Sequence, residues 1–230
     1  MPRFRQAAVI ASLFALVACS HRLPGAAALP TQSDFANNAI LAPNQSPAER
    51  WRAVEERFAA VRAVGGDCAD AACPALRWRA LVERLRALPP RERVMAANTE
   101  LNGVRYVAAT TNWGDLGYWE TPYEFLARGG QCQDYAIAKY LALAESGLPL
   151  AELRFVVVRD KQKALDHAVT IVDLDGESLV LDNQSRDVVS EDAVRARYEA
   201  YYAIDAQGWH DYRAPMQIAV RIVAAPAHYY

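Results

Sequence analysis

Three side chains in this sequence have the types and the order needed for covalent catalysis by a thiol. Cys132 follows Gly129-Gly130-Gln131 at the start of a segment with helical periodicity, and His167 and Asp182 lie on two predicted strands. A thiolate can attack a carbonyl carbon, a histidine can take the proton from the thiol, and a carboxylate can fix the tautomer of that histidine. The pattern therefore predicts Cys132 as nucleophile, His167 as general base and Asp182 as the group that orients the base.

The position of Cys132 in the chain favours a reactive thiol. Apolar residues recur at helical spacing after it, from Ala136 to Ala144, and Gly147 ends the pattern. The N-terminus of a helix has unpaired N–H groups and a positive dipole end, and both stabilise a thiolate. The alternative is a small, buried and inert cysteine.

A short hairpin relates His167 to Asp182. The dipeptide Asp175-Gly176 is a strong two-residue turn signal between two strand-like segments. Pairing from this turn places His167 opposite Gln184 and makes His167 and Asp182 diagonal neighbours on one face, about 7–8 Å apart. A slip of one residue would put them on opposite faces. The other histidine inside the predicted domain, His210, is interpreted as a packing or surface residue.

The N-terminal residues predict export. Two arginines precede an uncharged apolar stretch, residues 7–18, which is too short to span a membrane and is typical of a secretory signal. The stretch ends in Leu16-Val17-Ala18-Cys19, which resembles the lipobox of bacterial lipoproteins. We therefore expect a signal peptide at 1–18, lipidation of Cys19, and a periplasmic protein anchored to the outer membrane. Ordinary signal cleavage, with this cysteine incidental, is the alternative.

The remaining segments suggest a single folded domain after a flexible tether. Residues 19–47 are rich in Ala, Pro, Asn, Gln and Ser, which predicts a flexible tether. We expect the folded domain at 48–215 and a C-terminal strand or tail at 216–230. Cys68 and Cys73 are spaced for a disulfide loop between two helices, which leaves Cys132 as the free thiol. The formal net charge of −2 gives no reason to expect a nucleic-acid partner.

Periodicity predicts helices first and strands afterwards. Asn98 and Asn102 share one face of the third helix. The predicted helices cover 47–64, 74–87, 90–101, 122–126 and the segment from 132 to the stop at Gly147, and the predicted strands cover 153–159, 166–174 and 178–181. This order indicates an α+β fold in which the nucleophile helix packs on an antiparallel sheet.

The motifs around the three residues resemble those of the bacterial transglutaminase-like cysteine proteinases, the periplasmic adhesin proteases of LapG type. The resemblance covers residues 48–215, and its segments are Trp119-Glu-Thr-Pro-Tyr-Glu-Phe-Leu126, Gly129-Gly-Gln-Cys-Gln-Asp-Tyr135, His167-Ala-Val169, Leu181-Asp-Asn183 and Gln207-Gly-Trp209. It implies a papain-like α+β fold and cleavage of a peptide bond in a large surface adhesin. It also implies a regulatory receptor in the inner membrane as a further partner, and it places Cys132, His167 and Asp182 at the catalytic positions.

One departure from the family concerns calcium. Members carry acidic residues around the nucleophile and use them to bind calcium, whereas here Gln131 and Gln133 stand at two of these positions and only Asp134 remains. Calcium prefers six to eight oxygen ligands, several of them carboxylates. We therefore expect no required cofactor and weak or absent calcium dependence, with Asp134 as the remnant of the site.

Side chains near the nucleophile could also line the substrate cleft. Trp113, Trp119 and Gln131 are candidates for the cleft or the oxyanion site, although the two tryptophans could equally be core aromatics. Two other functions use the same residues or the same fold. A protein-crosslinking transglutaminase or amidase would pass the acyl group to an amine, and a non-catalytic binding scaffold would have no turnover.

Overall fold

Helices fill the first half of the chain and strands the second half. The computed structural model describes residues 45–63 and 72–213. The helices are α1 Pro47–Ala63, α2 Pro74–Arg86, α3 Pro90–Asn102, α4 Ala109–Trp113, α5 Pro122–Arg128, α6 Cys132–Glu145 and α7 Glu191–Val194. The strands are β1 Leu153–Asp160, β2 Leu165–Leu174, β3 Glu177–Leu181, β4 Val189–Ser190, β5 Tyr198–Asp205 and β6 Gly208–Asp211. Within these ranges no helix is both long and apolar enough to span a membrane.

Local sequence signals set where several helices begin. Proline occupies the first position of α1, α2, α3 and α5, where its missing N–H leaves no helical hydrogen bond unmade. At α1 the hydroxyl of Ser46 accepts a hydrogen bond from the Glu49 N–H, and the Glu49 carboxylate accepts one from the Ser46 N–H. Thr121 and Glu124 form the same reciprocal cap on α5, directly before the nucleophile loop.

The strands form one antiparallel sheet in the order β4-β3-β2-β1-β5-β6. Asp175 and Gly176 connect β2 to β3, and Leu174 pairs with Glu177, so the strands have the predicted register. Because β5 pairs with β1 and not with β4, the chain crosses the sheet after α7.

The main core lies between the helices and one face of the sheet. Its largest buried side chains include Tyr202, Phe125 and Phe155, and α6 contributes Ile137 and Leu143. Burying such a side chain fully contributes roughly 1.5–3 kcal/mol, so this layer fixes α6 on β2. A smaller cluster on the opposite face is covered by Val189, Val194 and Tyr198.

The predicted α+β class, with the nucleophile helix packed on an antiparallel sheet, is confirmed. The predicted element bounds agree with the observed ones to within two residues except in two regions. The aromatic segment before α5 contains the short helix α4, which was not predicted. The elements after β3, namely β4, α7, β5 and β6, were not predicted either.

Several predictions concern residues outside the described ranges. These are the signal and lipobox at 1–19, most of the tether, the end of α1 at residue 64, Cys68 and the tail at 216–230. Cys73 is disulfide-bonded, in agreement with its predicted role, while its expected partner Cys68 lies outside the described residues.

Candidate active site

Cys132 is the first residue of α6 and is held there by a close backbone turn. Gly129 has a positive φ of 82°, which favours glycine. A Cβ at Gly130 would lie 2.7 Å from Oδ2 of Asp134, so only glycine fits beside the helix start. The Gln131 N–H donates to that carboxylate at 2.8 Å. These contacts fix the backbone that carries the thiol at the N-terminus of α6.

Packing of α6 on β2 brings this thiol to the imidazole. The hydroxyl of Thr170 on β2 donates to the Ala136 carbonyl at 2.7 Å, which ties helix to strand one turn beyond the nucleophile. Cys132 is 4% exposed and His167 1% exposed. Two residues 35 positions apart thus share one buried site. The Cys132 side chain raises the pKa of His167, while the thiol itself lies 3.7 Å from Oε1 of Gln133.

His167 and Asp182 form a short, buried hydrogen bond. Nε2 of His167 donates to Oδ1 of Asp182 at 2.7 Å. Burial lowers the pKa of His167, but the hydrogen bond to Asp182 and the nearby Cys132 outweigh this effect and raise the pKa to about 9. Burial raises the pKa of Asp182, but its hydrogen bond to His167 prevails and holds that pKa well below the ordinary range. The pair therefore stabilises a protonated ring next to an ionised carboxylate.

Further donors fix the carboxylate of Asp182. The Tyr198 hydroxyl donates to Oδ2 at 2.6 Å, and the Gln184 N–H donates to Oδ1 at 2.8 Å in a local turn typical of aspartate. The Asn102 amide donates to the Asp182 carbonyl at 3.0 Å. With its oxygens and backbone held, Asp182 can keep the ring of His167 in one orientation.

A buried polar network supports the loop after β3 from the helical side. Asn98 donates to the carbonyls of Ser185 and Arg186 at 3.3 and 3.1 Å. Lys139, fully buried on α6, donates to Oδ1 of Asn98 at 2.8 Å. Burial lowers the pKa of Lys139 to about 7. The face shared by Asn98 and Asn102 therefore anchors the segment that carries Asp182.

Both oxygens of the Asp134 carboxylate accept hydrogen bonds from N–H donors, and the neighbouring Glu120 has one buried carboxylate oxygen, Oε2, without a partner. Oδ1 accepts from the Glu120 N–H at 2.8 Å, and Oδ2 accepts from the Gln131 N–H and from the Gln133 amide at 3.3 Å. Burial, followed by repulsion from Glu120, raises the pKa of Asp134 well above its ordinary value. Among residues 45–63 and 72–213 no group of three or more His, Cys, Asp or Glu side chains could hold a metal ion.

The three predicted cleft residues occupy different environments. The indole N–H of Trp113 donates to Oε1 of Glu120 at 2.6 Å. Trp119 is 3% exposed and packs on Phe155 in the core, and its indole N–H has no hydrogen-bond partner. Gln131 is buried at the start of α6.

Two residues at the site were not predicted to have a role there. Tyr198 lies on the unpredicted strand β5, and no local sequence signal indicates its contact with Asp182. Gln184 does have a signal, since the hairpin register places it opposite His167. Its side-chain amide lies 3.3 Å from Nδ1 of His167. His210 lies on β6 and contacts Asp205 at 3.0 Å.

Solved structures of similar fold are known. Legionella pneumophila LapG matches with a TM-score of 0.56 and 23% identity, over 69% of this chain and 87% of that chain. Its calcium-bound form matches with a TM-score of 0.55 and 24% identity, over 73% and 92%. At this identity the likeness concerns the fold. No functionally curated protein sequence matches the chain.

The sequence itself matches a family model over more than half of its length. The matched residues, 90–214, extend from α3 to the end of β6 and include Cys132, His167 and Asp182. The model describes cysteine proteinases, which supports a cysteine peptidase. The chain belongs to the bacterial transglutaminase-like cysteine proteinases.

Proposed function

We propose that this protein is a cysteine endopeptidase in which Cys132 is the nucleophile, His167 the general base and Asp182 the orienting carboxylate. The observation that carries the proposal is the 2.7 Å hydrogen bond between His167 and Asp182 beside a free cysteine at a helix N-terminus. Membership of a cysteine proteinase family supports the same reaction.

The proton transfers follow from which ring nitrogen of His167 is not bonded to Asp182. Nε2 of His167 is bonded to Asp182, so Nδ1 accepts the proton of the Cys132 thiol. The thiolate attacks the peptide carbonyl carbon, and as the C–N bond breaks, Nδ1–H protonates the leaving amine. Nδ1 then takes a proton from water, whose oxygen attacks the thioester carbon. The C–S bond breaks, the carboxylic acid product leaves, and the thiol regains its proton.

The substrate class and location are further parts of the proposal. Membership of a protease family supports a protein substrate, and we propose a large surface adhesin. The signal-like segment at 1–18 and the lipobox resemblance at Cys19 support export and a lipid anchor in the periplasm. The three N–H groups on Asp134 support activity without calcium.

Two measurements test the catalytic proposal. Wild-type and Cys132→Ala proteins are incubated with a cell-envelope protein extract, and new N-termini are labelled and identified by mass spectrometry. We expect new termini with the wild type alone. The alkylation rate of Cys132 by iodoacetamide at pH 7 should exceed that of free cysteine. A rate no higher than that of free cysteine would contradict an activated thiolate and favour a binding scaffold.

The same extract distinguishes hydrolysis from acyl transfer. A fluorescent primary amine is added, and its incorporation into extract proteins is measured with both variants. Cleavage without incorporation supports the endopeptidase. Incorporation that depends on Cys132 and exceeds cleavage would instead establish a crosslinking enzyme with the same three residues.

A further inference from the structure

The side chain of Gln184 is fixed by its oxygen. Oε1 accepts hydrogen bonds from Nζ of Lys163 and from Nη2 of Arg197, the latter at 3.1 Å. Arg197 is itself held by Oδ2 of Asp160, through Nε at 3.0 Å and Nη2 at 2.6 Å. Two cationic donors at one end of an amide determine which end is the carbonyl. The NH2 group of Gln184 must therefore face His167.

This NH2 group lies next to Nδ1 of His167, the nitrogen proposed to accept the proton of the Cys132 thiol. Nε2 of Gln184 lies 3.3 Å from Nδ1 of His167, and Gln184 can only donate there. This hydrogen bond forms only when Nδ1 is an unprotonated acceptor, so it favours the neutral Nε2–H tautomer over the protonated ring. Once Nδ1 carries a proton it faces an N–H group and loses this hydrogen bond. Gln184 and the proton of Cys132 thus compete for one lone pair.

A cavity beside Gln184 gives its side chain room to move. The cavity has a volume of about 750 Å³, and its lining includes Asn102, Asn183, Gln184 and Asp187. Gln184 itself is half-buried, between this cavity and the buried ring of His167. The amide can therefore leave Nδ1 without displacing the core.

We propose that Gln184 is a positioning residue for His167. Its amide donates to the Nδ1 lone pair and so stabilises the neutral ring relative to the protonated ring, and this hydrogen bond is lost when Nδ1 takes the proton of Cys132. The proposal rests on the proposed function, because only a catalytic cysteine makes this proton transfer relevant. Removing the Gln184 amide should favour the protonated ring.

Charged and titratable groups surround this contact on several elements. They are Cys132 and Lys139 on α6, Asp160 on β1, Lys163 in the β1–β2 turn, Asp166 on β2, Asp182 after β3, and Arg197, Tyr198 and Tyr202 on or beside β5. A substitution at Gln184 leaves all of these groups in the chain, but Gln184→Met also removes the contacts with Lys163 and Arg197, so a second variant has to retain them.

The test measures the protonation state of the His167 ring directly. In a Cys132→Ala background, 15N NMR of the imidazole nitrogens gives the tautomer and the pKa of His167. Gln184→Met should raise this pKa by about 0.5 to 1 pH unit, as expected for one lost hydrogen bond to the neutral ring. The exposed Gln162, changed to Met, is the matched control and should leave it unchanged.

A second variant keeps the contacts of Gln184 with the cations. In Gln184→Glu the carboxylate can still bind Lys163 and Arg197 and can accept from Nδ1–H, so the pKa of His167 should rise further. Unchanged or lowered pKa values in both variants would overturn the proposal. Since the thiol is absent from these samples, this result is independent of whether Cys132 is the nucleophile, which the alkylation of the wild type decides separately.

Discussion

Replacing Asp182 with Asn separates the charge of this residue from its geometry. Oδ1 of Asp182 accepts from both His167 and the Gln184 N–H, at 2.7 and 2.8 Å. The Gln184 N–H requires an acceptor at this position, so the Asn carbonyl should remain there and continue to accept from Nε2 of His167. The Asn NH2 group then faces the hydroxyl of Tyr198, which can accept. The substitution therefore removes a charge and leaves the ring orientation in place.

The lost charge should lower the pKa of His167 strongly. Its pKa of about 9 depends on the hydrogen bond to Asp182 and on the nearby Cys132. Two opposite charges about 4 Å apart attract by about 4 kcal/mol at an effective dielectric constant of about 20, which is an upper bound. An opposite charge at such a distance typically shifts a pKa by about one to three pH units. The ratio of the thiolate–imidazolium pair to the neutral pair should then fall at least about tenfold.

Alkylation of Cys132 as a function of pH measures this effect. The rate for Asp182→Asn at pH 7 should fall at least about tenfold below that of the wild type. Asp173→Asn, which removes an exposed carboxylate from the same sheet, is the control and should change the rate little. Rates for Asp182→Asn within twofold of wild type from pH 5 to 9 would refute the reasoning.

The His167–Asp182 pair also predicts how the stability of the protein changes with pH. In the folded protein the pKa of His167 lies above its unfolded value of 6.5. The His167–Asp182 pair therefore adds its full amount to the free energy of unfolding below pH 6.5, and this stabilisation is lost as pH rises through about 9. Urea unfolding should show the largest difference between wild type and Asp182→Asn near pH 6. A difference that stays constant to pH 9.5 would contradict this assignment.

Three further outcomes are expected. The buried Lys139 has a pKa lowered to about 7 from 10.5, so the unfolded chain binds more protons between these values and wild-type stability rises with pH there. The Lys139→Met variant should exceed wild type in free energy of unfolding at pH 7, and this difference should narrow by about 4 kcal/mol toward pH 10. A difference that does not vary with pH would contradict the lowered pKa of Lys139. Addition of EGTA should leave cleavage and Tm unchanged, because N–H groups donate to the oxygens of Asp134. Activity that is lost with the chelator and restored by calcium alone would show that a calcium site exists. Reduction of the disulfide at Cys73 should lower Tm without slowing alkylation of Cys132; an unchanged Tm would remove its stabilising role.

Local patterns in the sequence predicted the elements that carry the site. Glycine and apolar spacing placed Cys132 at the start of a helix, and the Asp175-Gly176 turn fixed the register that puts Asp182 and Gln184 beside His167. These features depend on interactions between residues close in the chain, such as turn geometry and side-chain alternation. For this reason a single sequence was enough to predict these features.

Contacts between distant segments were decided by the tertiary structure. The strand β5 pairs with β1 across the sheet and brings Tyr198 to Asp182, and no spacing in the sequence encodes that crossover. The buried network of Lys139 and Asn98, the use of the Trp113 indole by Glu120, and the donors on Asp134 likewise depend on which side chains share one interior. Burial then sets their proton affinities, because desolvation acts only once the chain has folded around them.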